Sequence, residues 1–311
     1  MPVQAAFALN EDGRVADRAK IILSAYGGRL PVEAKVNQVK QAVEAVELDY
    51  ELELTNYAGH ALVLARQAAQ AGWPVIVAAG GDGTVNEVVN GLMQAAAEGE
   101  VSRLGILPLG TANDLADVLK LPRDLKLASE RIVAGKSHPL DVCRVNERYF
   151  VNNAAAGLES VVTVNHNHMR WVKGNLRYIL AAAKTILQAQ TWEMRISWDR
   201  GDYEGPISVV SIGNSNRTGG SFYMTPHAVP DDGLLDFVYA VGMSRWQLFR
   251  LLPKTFSGNH IHHPLVNYQR TTRLTIKCSP PTPVQADGEV FDQNAAELSF
   301  CIYPKKLRVI V

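Results

Sequence analysis

Apolar positions recur along the chain with two different periods. The run 20-KIILSA-25 is apolar over Ile21, Ile22 and Leu23 and reads as a buried strand, closed by the turn 26-YGG-28. In 31-PVEAKVNQVKQAVEAVE-47, Val32, Val36, Val39, Val43 and Val46 return every three or four residues, which predicts one apolar face of a helix. The alternation of 48-LDYELELT-55 predicts a strand, and 58-AGHALVLARQAAQAG-72 a second helix. Strand 74-PVIVAAG-80, helix 85-VNEVVNGLMQAAAEG-99 and strand 104-LGILPLG-110 continue the series. Strands that alternate with helices predict crossovers and a mainly parallel sheet covered on both faces.

The pattern changes after about residue 141. Strand-like runs appear in 139–157, 192–198, 205–214, 234–242, 272–278 and 296–303, punctuated by Pro, Gly and Asp. Two helices are expected here, in 174–190 and 244–258. The reading is an α/β lobe over residues 1–141 and a β-rich, antiparallel lobe over 142–304, with residues 1–18 as a loose extension.

Composition narrows the classes. Thirty-one basic residues balance thirty-one acidic ones, so global charge supports no nucleic-acid partner. Cys143, Cys278 and Cys301 are odd in number and form no CxxC pair, which argues against a disulfide scaffold and for a reducing compartment. The opening MPVQAAFALNEDGRVADRAK has no basic start followed by a long apolar run, and no segment reaches 18 uninterrupted apolar residues. A cytoplasmic enzyme is expected.

The candidate chemistry sits where strands end. In 75-VIVAAGGDGTVNEVV-89, Gly80, Gly81 and Gly83 suit a tight turn that lets an anion approach a helix N-terminus, and Thr84 can cap that helix or bind a phosphate oxygen. Asp82 is unusual in an anion site unless it binds a metal or orients water. The loop 107-LPLGTANDLA-116 repeats the arrangement with Gly110, Thr111 and Asn113. No Gly-Lys-Ser/Thr follows the first loop and no GxGxxG is present, so neither a Walker loop nor a Rossmann site fits. The run 227-HAVPDDGLLDF-237 groups carboxylates and carbonyls suited to Mg²⁺ or Ca²⁺, against the plainer reading of a proline turn. Neither His166 and His168 nor His260, His262 and His263 stand at zinc-site spacing. Leu176, Ile179, Leu180, Ile186 and Leu187 share one face of their helix, as core or as a lining for acyl chains.

These stretches occur in an order that resembles the diacylglycerol kinase catalytic-domain family, in its bacterial YegS-like lipid kinase branch. The resemblance is carried by 55-TNYAGHALVLA-65, 80-GGDGTVNEVVNGL-92, 107-LPLGTANDLA-116, 139-PLDVCRVNERYFVNNAAAGL-158, 222-FYMTPHAVPDDGLLDF-237 and 286-ADGEVF-291. It implies an NAD kinase/diacylglycerol kinase-like fold with a sandwich-like second lobe, to which 305-KKLRVIV-311 does not belong because it returns to the first. It implies ATP-dependent transfer of a phosphoryl group to a lipid hydroxyl, of diacylglycerol or a related lipid alcohol. Nucleotide contacts are expected at Thr55, Gly80, Gly81, Asp82, Gly83, Thr84, Asn86, Glu87, Gly110, Thr111 and Asn113. A metal site is expected at Asp232 with the carbonyls of Val229 and Leu234, holding Mg²⁺ or alternatively Ca²⁺. Glu289 is the expected proton acceptor with Asp287 beside it, and Asp82 a metal-holding carboxylate with Asp141 as partner. The expected partner is a lipid at a membrane surface, which places the protein at the inner membrane face; a homodimer is the candidate assembly. One departure stands out: the family's Asn-Pro-x-Ser-Gly turn is replaced by 24-SAYGG-28. The competing readings are an NAD kinase-like enzyme, which shares GGDGT, and a catalytically silent nucleotide- or lipid-binding protein.

Overall fold

The computed structural model describes residues 17–26, 30–96, 101–168, 175–188 and 191–311. Gly27 and Gly28 of the first turn, the end of the helix expected to reach residue 99, and residues 169–174 of the basic segment 166–178 therefore fall outside the described residues. The chain divides into two units, one of Met1–Leu140 with Lys305–Val311 and one of Asp141–Pro304.

In the first unit, continuous apolar runs become strands buried on both faces. These are β1 (Ala19–Leu23), β3 (Val75–Gly80) and β4 (Arg103–Pro108). The alternating segment becomes β2 (Tyr50–Leu54), which is less buried. β1 pairs in parallel with β2 and β3, and β3 with β4. The chain's last strand, β13 (Glu289–Ile310), adds Val309 opposite Leu104 of β4. Helices α1 (Val32–Glu44), α2 (His60–Gln70), α3 (Asp82–Ala95), α4 (Asp114–Val118) and α5 (Leu125–Ala134) lie between the strands in sequence. Val39 and Val43 of α1 and Ala128 and Ile132 of α5 join the strands in one apolar core. Lys20, inside β1, is drawn to Glu51 and Glu53 of β2 at 2.5 Å each, which offsets the cost of burying its ammonium.

The second unit is antiparallel. Its strands are β5 (Ser137–Val145, which begins in the first unit), β6 (Arg148–Phe150), β7 (Asn153–Gly157), β8 (Trp192–Trp198), β9 (Gly201–Gly213), β10 (Leu235–Val241), β11 (Val266–Thr271), β12 (Arg273–Ala286) and most of β13. The long strands β9 and β12 both pair with β7 at one end and with β8 at the other. Helices α6 (Leu158–His168), α7 (Asn175–Leu187) and α8 (Arg245–Thr255) complete it. Phe150, Phe237, Phe300 and Trp192 anchor its core.

Three differences from the sequence reading have physical causes. α3 begins at Asp82, not Val85, because Gly81 in an extended conformation serves as its N-cap and the Asp-Gly-Thr run forms the first turn. The start of α4 fits the helix start expected in 107–116, but its shortness, and helices α5 and α6, were not expected. α4 is one short turn and α6 is polar over its second half, so neither carries a long apolar period. β12 and β13 are far longer than their alternating centres, because pairing carries on through polar residues and bulges.

α2 and α3 pack closely, and Gly91 sits at their contact. A Cβ there would stand 2.4 Å from the Leu62 carbonyl oxygen and 2.9 Å from the Arg66 nitrogen, both backbone atoms that cannot yield cheaply. Gly91→Ala should therefore destabilise the protein despite alanine's helix preference of about 1 kcal/mol, because overpacking costs roughly 1–3 kcal/mol and this clash is with backbone. Urea unfolding of the variant should show a lower midpoint; an equal or higher midpoint would mean that the helices separate freely.

Candidate functional site

The first unit brings its two glycine loops into contact. A Cβ on Gly110 would lie 2.5 Å from the Gly81 Cα, and one on Gly81 would lie 3.1 Å from the Gly110 Cα. Gly81 has a φ of −97°, which any residue adopts, so the requirement for glycine at this position is space and not conformation. Asp82 joins the loops. Its two oxygens accept the N–H groups of Asn113 at 2.8 Å and Asp114 at 2.6 Å, the first donors of α4. Burial pushes the Asp82 carboxyl up, and these N–H bonds draw it back. Asn113, held at a left-handed φ of 54°, closes its own loop by accepting from the Gly110 N–H and donating to the Gly110 carbonyl, both at 3.0 Å. Arg123 adds a staple: it pairs with Asp117 and donates to the carbonyls of Thr111 and Ala112.

The other expected contacts have defined places. Gly80 ends β3, and Gly83 and Thr84 lie in the first turn of α3. Thr111 is exposed. Thr55 is buried at the end of β2 and accepts the Ala25 N–H at 3.0 Å. Asn86 is buried and accepts from the Asn90 side chain. Glu87 holds a different helix: its oxygens accept the N–H groups of Gly59 and Ala61 at the start of α2. The N-terminus of α3 has no side-chain cap, which leaves it suited to an anion. Lys35 was missed in the sequence. It is buried on α1 and donates to the Ser24 carbonyl at 3.2 Å, beside the end of β1, and burial lowers its pKa. Its signal was a charged residue three positions after Val32 and four before Val39, on the apolar face.

In the second unit the 287–289 turn joins β12 to β13. Ala286 pairs with Glu289, and Asp287 and Gly288 both have positive φ, as a two-residue hairpin turn requires. The Asp287 oxygens accept N–H groups from Val151, Asn152 and Asn153 at 2.9–3.0 Å, and its own N–H donates to the Asn153 carbonyl. Glu289 is exposed at the first position of β13. Asn214 donates to the carbonyls of Val151 and Asp141. Asp141, fully buried, accepts the Gly233 N–H at 2.7 Å and donates its own N–H to Pro230. One buried network thus links the segments 141, 151–153, 214, 230–233 and 287.

The expected metal site does not fit a divalent ion as folded. One Asp232 oxygen accepts the Leu234 N–H at 3.0 Å and the other is ion-paired with Arg270, while Val229 is 44% exposed. A cation would have to displace the arginine. Among the described residues no group of three or more His, Cys, Asp or Glu stands together to hold a metal. Asp82 belongs to the first unit and Asp141 to the second, each with partners of its own.

A further carboxylate was not singled out in the sequence. Glu159, in the first turn of α6, lines an apolar cavity of about 70 Å³ with residues of α7, α8, β9 and β10. Its Oε1 accepts from Asn153 Nδ2 at 3.1 Å, so it is joined through Asn153 to Asp287. Burial pushes its pKa up to about 8, with Ser211 and Asn153 opposing. The folded protein therefore keeps a proton that the unfolded chain releases near 4.5. The stabilising contribution of this group is fully present below that pH and is lost as pH rises toward about 8. Relative to Glu159→Gln, wild-type thermal stability should fall between those limits and then level off; a constant difference would show that the group ionises normally.

Two family models match the chain. The diacylglycerol kinase catalytic domain covers residues 18–145, and the YegS C-terminal NAD kinase beta sandwich-like domain covers residues 152–311. The chain is 30% identical over 274 residues to a diacylglycerol kinase of Bacillus subtilis (strain 168), covering 88% of this chain and 89% of that one. It is 29% identical over 280 residues to a diacylglycerol kinase of Staphylococcus carnosus (strain TM300), covering 90% of each. The fold is similar to the crystal structure of a diacylglycerol kinase from Bacillus anthracis str. Sterne, with a TM-score of 0.78 at 22% identity over 95% of this chain and 97% of that one. By both domains and over most of its length, the chain belongs to the diacylglycerol kinase catalytic-domain family, with a YegS-type second domain, and is a kinase.

Proposed function

We propose that the protein transfers the γ-phosphoryl group of ATP to a lipid hydroxyl, of diacylglycerol or a related lipid alcohol. The observation that carries the reading is the contact of Gly81 with Gly110 beside the uncapped start of α3. Phosphoryl transfer asks for positioned phosphates and charge neutralisation more than for covalent chemistry. Two glycine backbones without side chains leave room for phosphate oxygens, and free N–H groups at a helix start attract them. Lys35 adds a cation at the neighbouring strand end, where the family's Asn-Pro turn is missing. Thr55, Thr84 and Thr111 are the hydroxyls proposed to contact the nucleotide, and Asp82 keeps the two loops in register.

The acceptor hydroxyl is a poor nucleophile and gains from a positioned base. Glu289 is proposed for that role and Asp287 for holding the turn. The reason is their placement: Asp287 is buried with its oxygens taken by three backbone N–H groups, and Glu289 is exposed to solvent at the start of the adjoining strand. Approach to a lipid surface has its own support. Among the described residues no helix is long and apolar enough to cross a membrane, but Trp246 on α8 is 77% exposed beside Arg245.

The test is a panel of diacylglycerol, monoacylglycerol, other lipid alcohols and NAD incubated with ATP, read by mass. A lipid should gain 80 mass units, about the mass of one phosphoryl group in transfer; phosphate on NAD alone, or on nothing, would overturn the proposal. Glu289→Gln should lower turnover by at least about a hundredfold with an unchanged melting temperature. Asp287→Asn should instead lower the melting temperature, because an amide has one accepting oxygen where the carboxylate uses two to take three N–H bonds. Normal turnover in Glu289→Gln would move the base elsewhere.

A further inference from the structure

The carboxyl ends of β1 and β2 carry aromatic rings that the proposed reaction does not use. Tyr26 follows β1 and is 54% exposed; Tyr57 follows β2 and is 52% exposed. Both rings are held in place. The Tyr26 hydroxyl donates to the Asn56 carbonyl, which ties the turn after β1 to the turn after β2. The Ala25 N–H donates to the buried Thr55 hydroxyl at 3.0 Å and joins the same two turns. Tyr57 lies against the His60 ring, with centroids 4.5 Å apart, and His60 is fixed by the Asn56 N–H, which donates to its Nδ1 at 3.1 Å. Rings that are anchored in this way while much of their surface stays in water add little to a core and offer a flat surface for stacking.

Their place in the sheet says what would stack there. The strands run in the order β4, β3, β1, β2 and all are parallel, so their turns stand side by side on one edge. That edge is where an open parallel sheet takes its ligands. Gly81 and Gly110 follow β3 and β4, and the two tyrosines follow β1 and β2. Two strand spacings, about 10 Å, separate the end of β3 from the end of β2, a distance that a ribose and its first phosphate can span. Glu87 fixes that separation: from α3, which begins after Gly81, it accepts the N–H groups of Gly59 and Ala61 beside Tyr57. We infer that Tyr57, with Tyr26 beside it, is the stacking surface for the base of the nucleotide, and that these two residues make the site prefer a purine. The fused rings of a purine cover more of a tyrosine face than the single ring of a pyrimidine, and inorganic tripolyphosphate covers none. Tyr26 takes the open third position of the stretch that replaces the family's Asn-Pro-x-Ser-Gly turn, so the shared motif does not supply its ring. That the ligand is a nucleotide rests on the proposed kinase reaction; that its base lies on these rings rests on their placement.

The experiment is a calorimetric titration of the full chain, without lipid, with the Mg²⁺ salts of ATP, CTP and tripolyphosphate. ATP should bind at least about fivefold more tightly than tripolyphosphate, the smaller end of what stacking one base supplies, and more tightly than CTP. Tripolyphosphate is the more highly charged ligand, so a preference for ATP reports the base. Tyr57→Ala should lower ATP affinity at least about fivefold by the same measure and leave tripolyphosphate affinity unchanged, which also shows that the variant is folded with its glycine loops intact. Tyr57→Phe, which keeps the ring, should bind ATP as the wild type does, and Tyr26→Ala should weaken ATP in the same direction as Tyr57→Ala. A wild type that binds ATP no more tightly than CTP or tripolyphosphate, or a Tyr57→Ala variant with normal ATP affinity, would overturn the inference and leave the nucleotide reading standing. The wild-type comparison decides even if Tyr57→Ala fails to fold. No binding of ATP would remove the nucleotide reading and this inference together. A purine preference carried by Tyr57 in a protein that phosphorylates no lipid would leave the base site in place and remove the kinase reading.

Discussion

The carboxylate of Asp287 accepts the N–H groups of Val151, Asn152 and Asn153, and most of the polar architecture of the second unit follows from that fact. Residues 151–153 link β6 to β7, and the buried N–H groups of such a link need acceptors. A hairpin turn from another part of the chain supplies them. The cost is a left-handed backbone at Asp287, a conformation in which Asp is among the better-tolerated residues. In return the turn that carries Glu289 is fixed against β7, and the Asn153 side chain is turned toward Glu159. Removing the carboxylate would leave three buried donors unsatisfied together, a larger loss than the deletion of any single contact.

Asp82 does comparable work in the first unit. There too an aspartate in a glycine-rich turn accepts backbone N–H groups from a distant loop. Both residues look catalytic in the sequence, because a carboxylate among glycines invites a metal or an acid-base role. In the fold both fasten loops. Under the proposed reaction the chemistry falls to their neighbours: the uncapped start of α3, the Gly81–Gly110 contact, Lys35 and Glu289.

This explains what the sequence could reveal. β1, β3 and β4 were legible because strands buried on both faces are continuous apolar runs. α1 and α2 were legible from their valine and alanine periods. Gly80 to Thr84 and Gly110 to Asn113 were legible as a pair, because turn chemistry is local. The partner of a carboxylate is not local: Asp287 reaches residues more than 130 positions away, and no periodicity records such a bond. For the same reason Asp232 read as a metal ligand, when its side chain is ion-paired with Arg270 on β11, a strand the sequence did not suggest.

Glu159 is the sharpest case. It follows the small-residue strand 153-NAAAG-157 by two positions, at the first turn of a helix with little apolar period. Nothing nearby marks it as different from a solvated helix-start glutamate, which would be the common reading. What sets it apart is the arrival of α7, α8, β9 and β10 around it, which buries it against mainly apolar walls, with Asn153 and Ser211 beside the carboxyl. Burial of a carboxyl favours its neutral form. A stability argument alone would replace this residue with leucine. Its carboxyl stands two hydrogen bonds from the 287–289 turn, so the start of α6 and that turn are joined through Asn153, a link that leucine would not make.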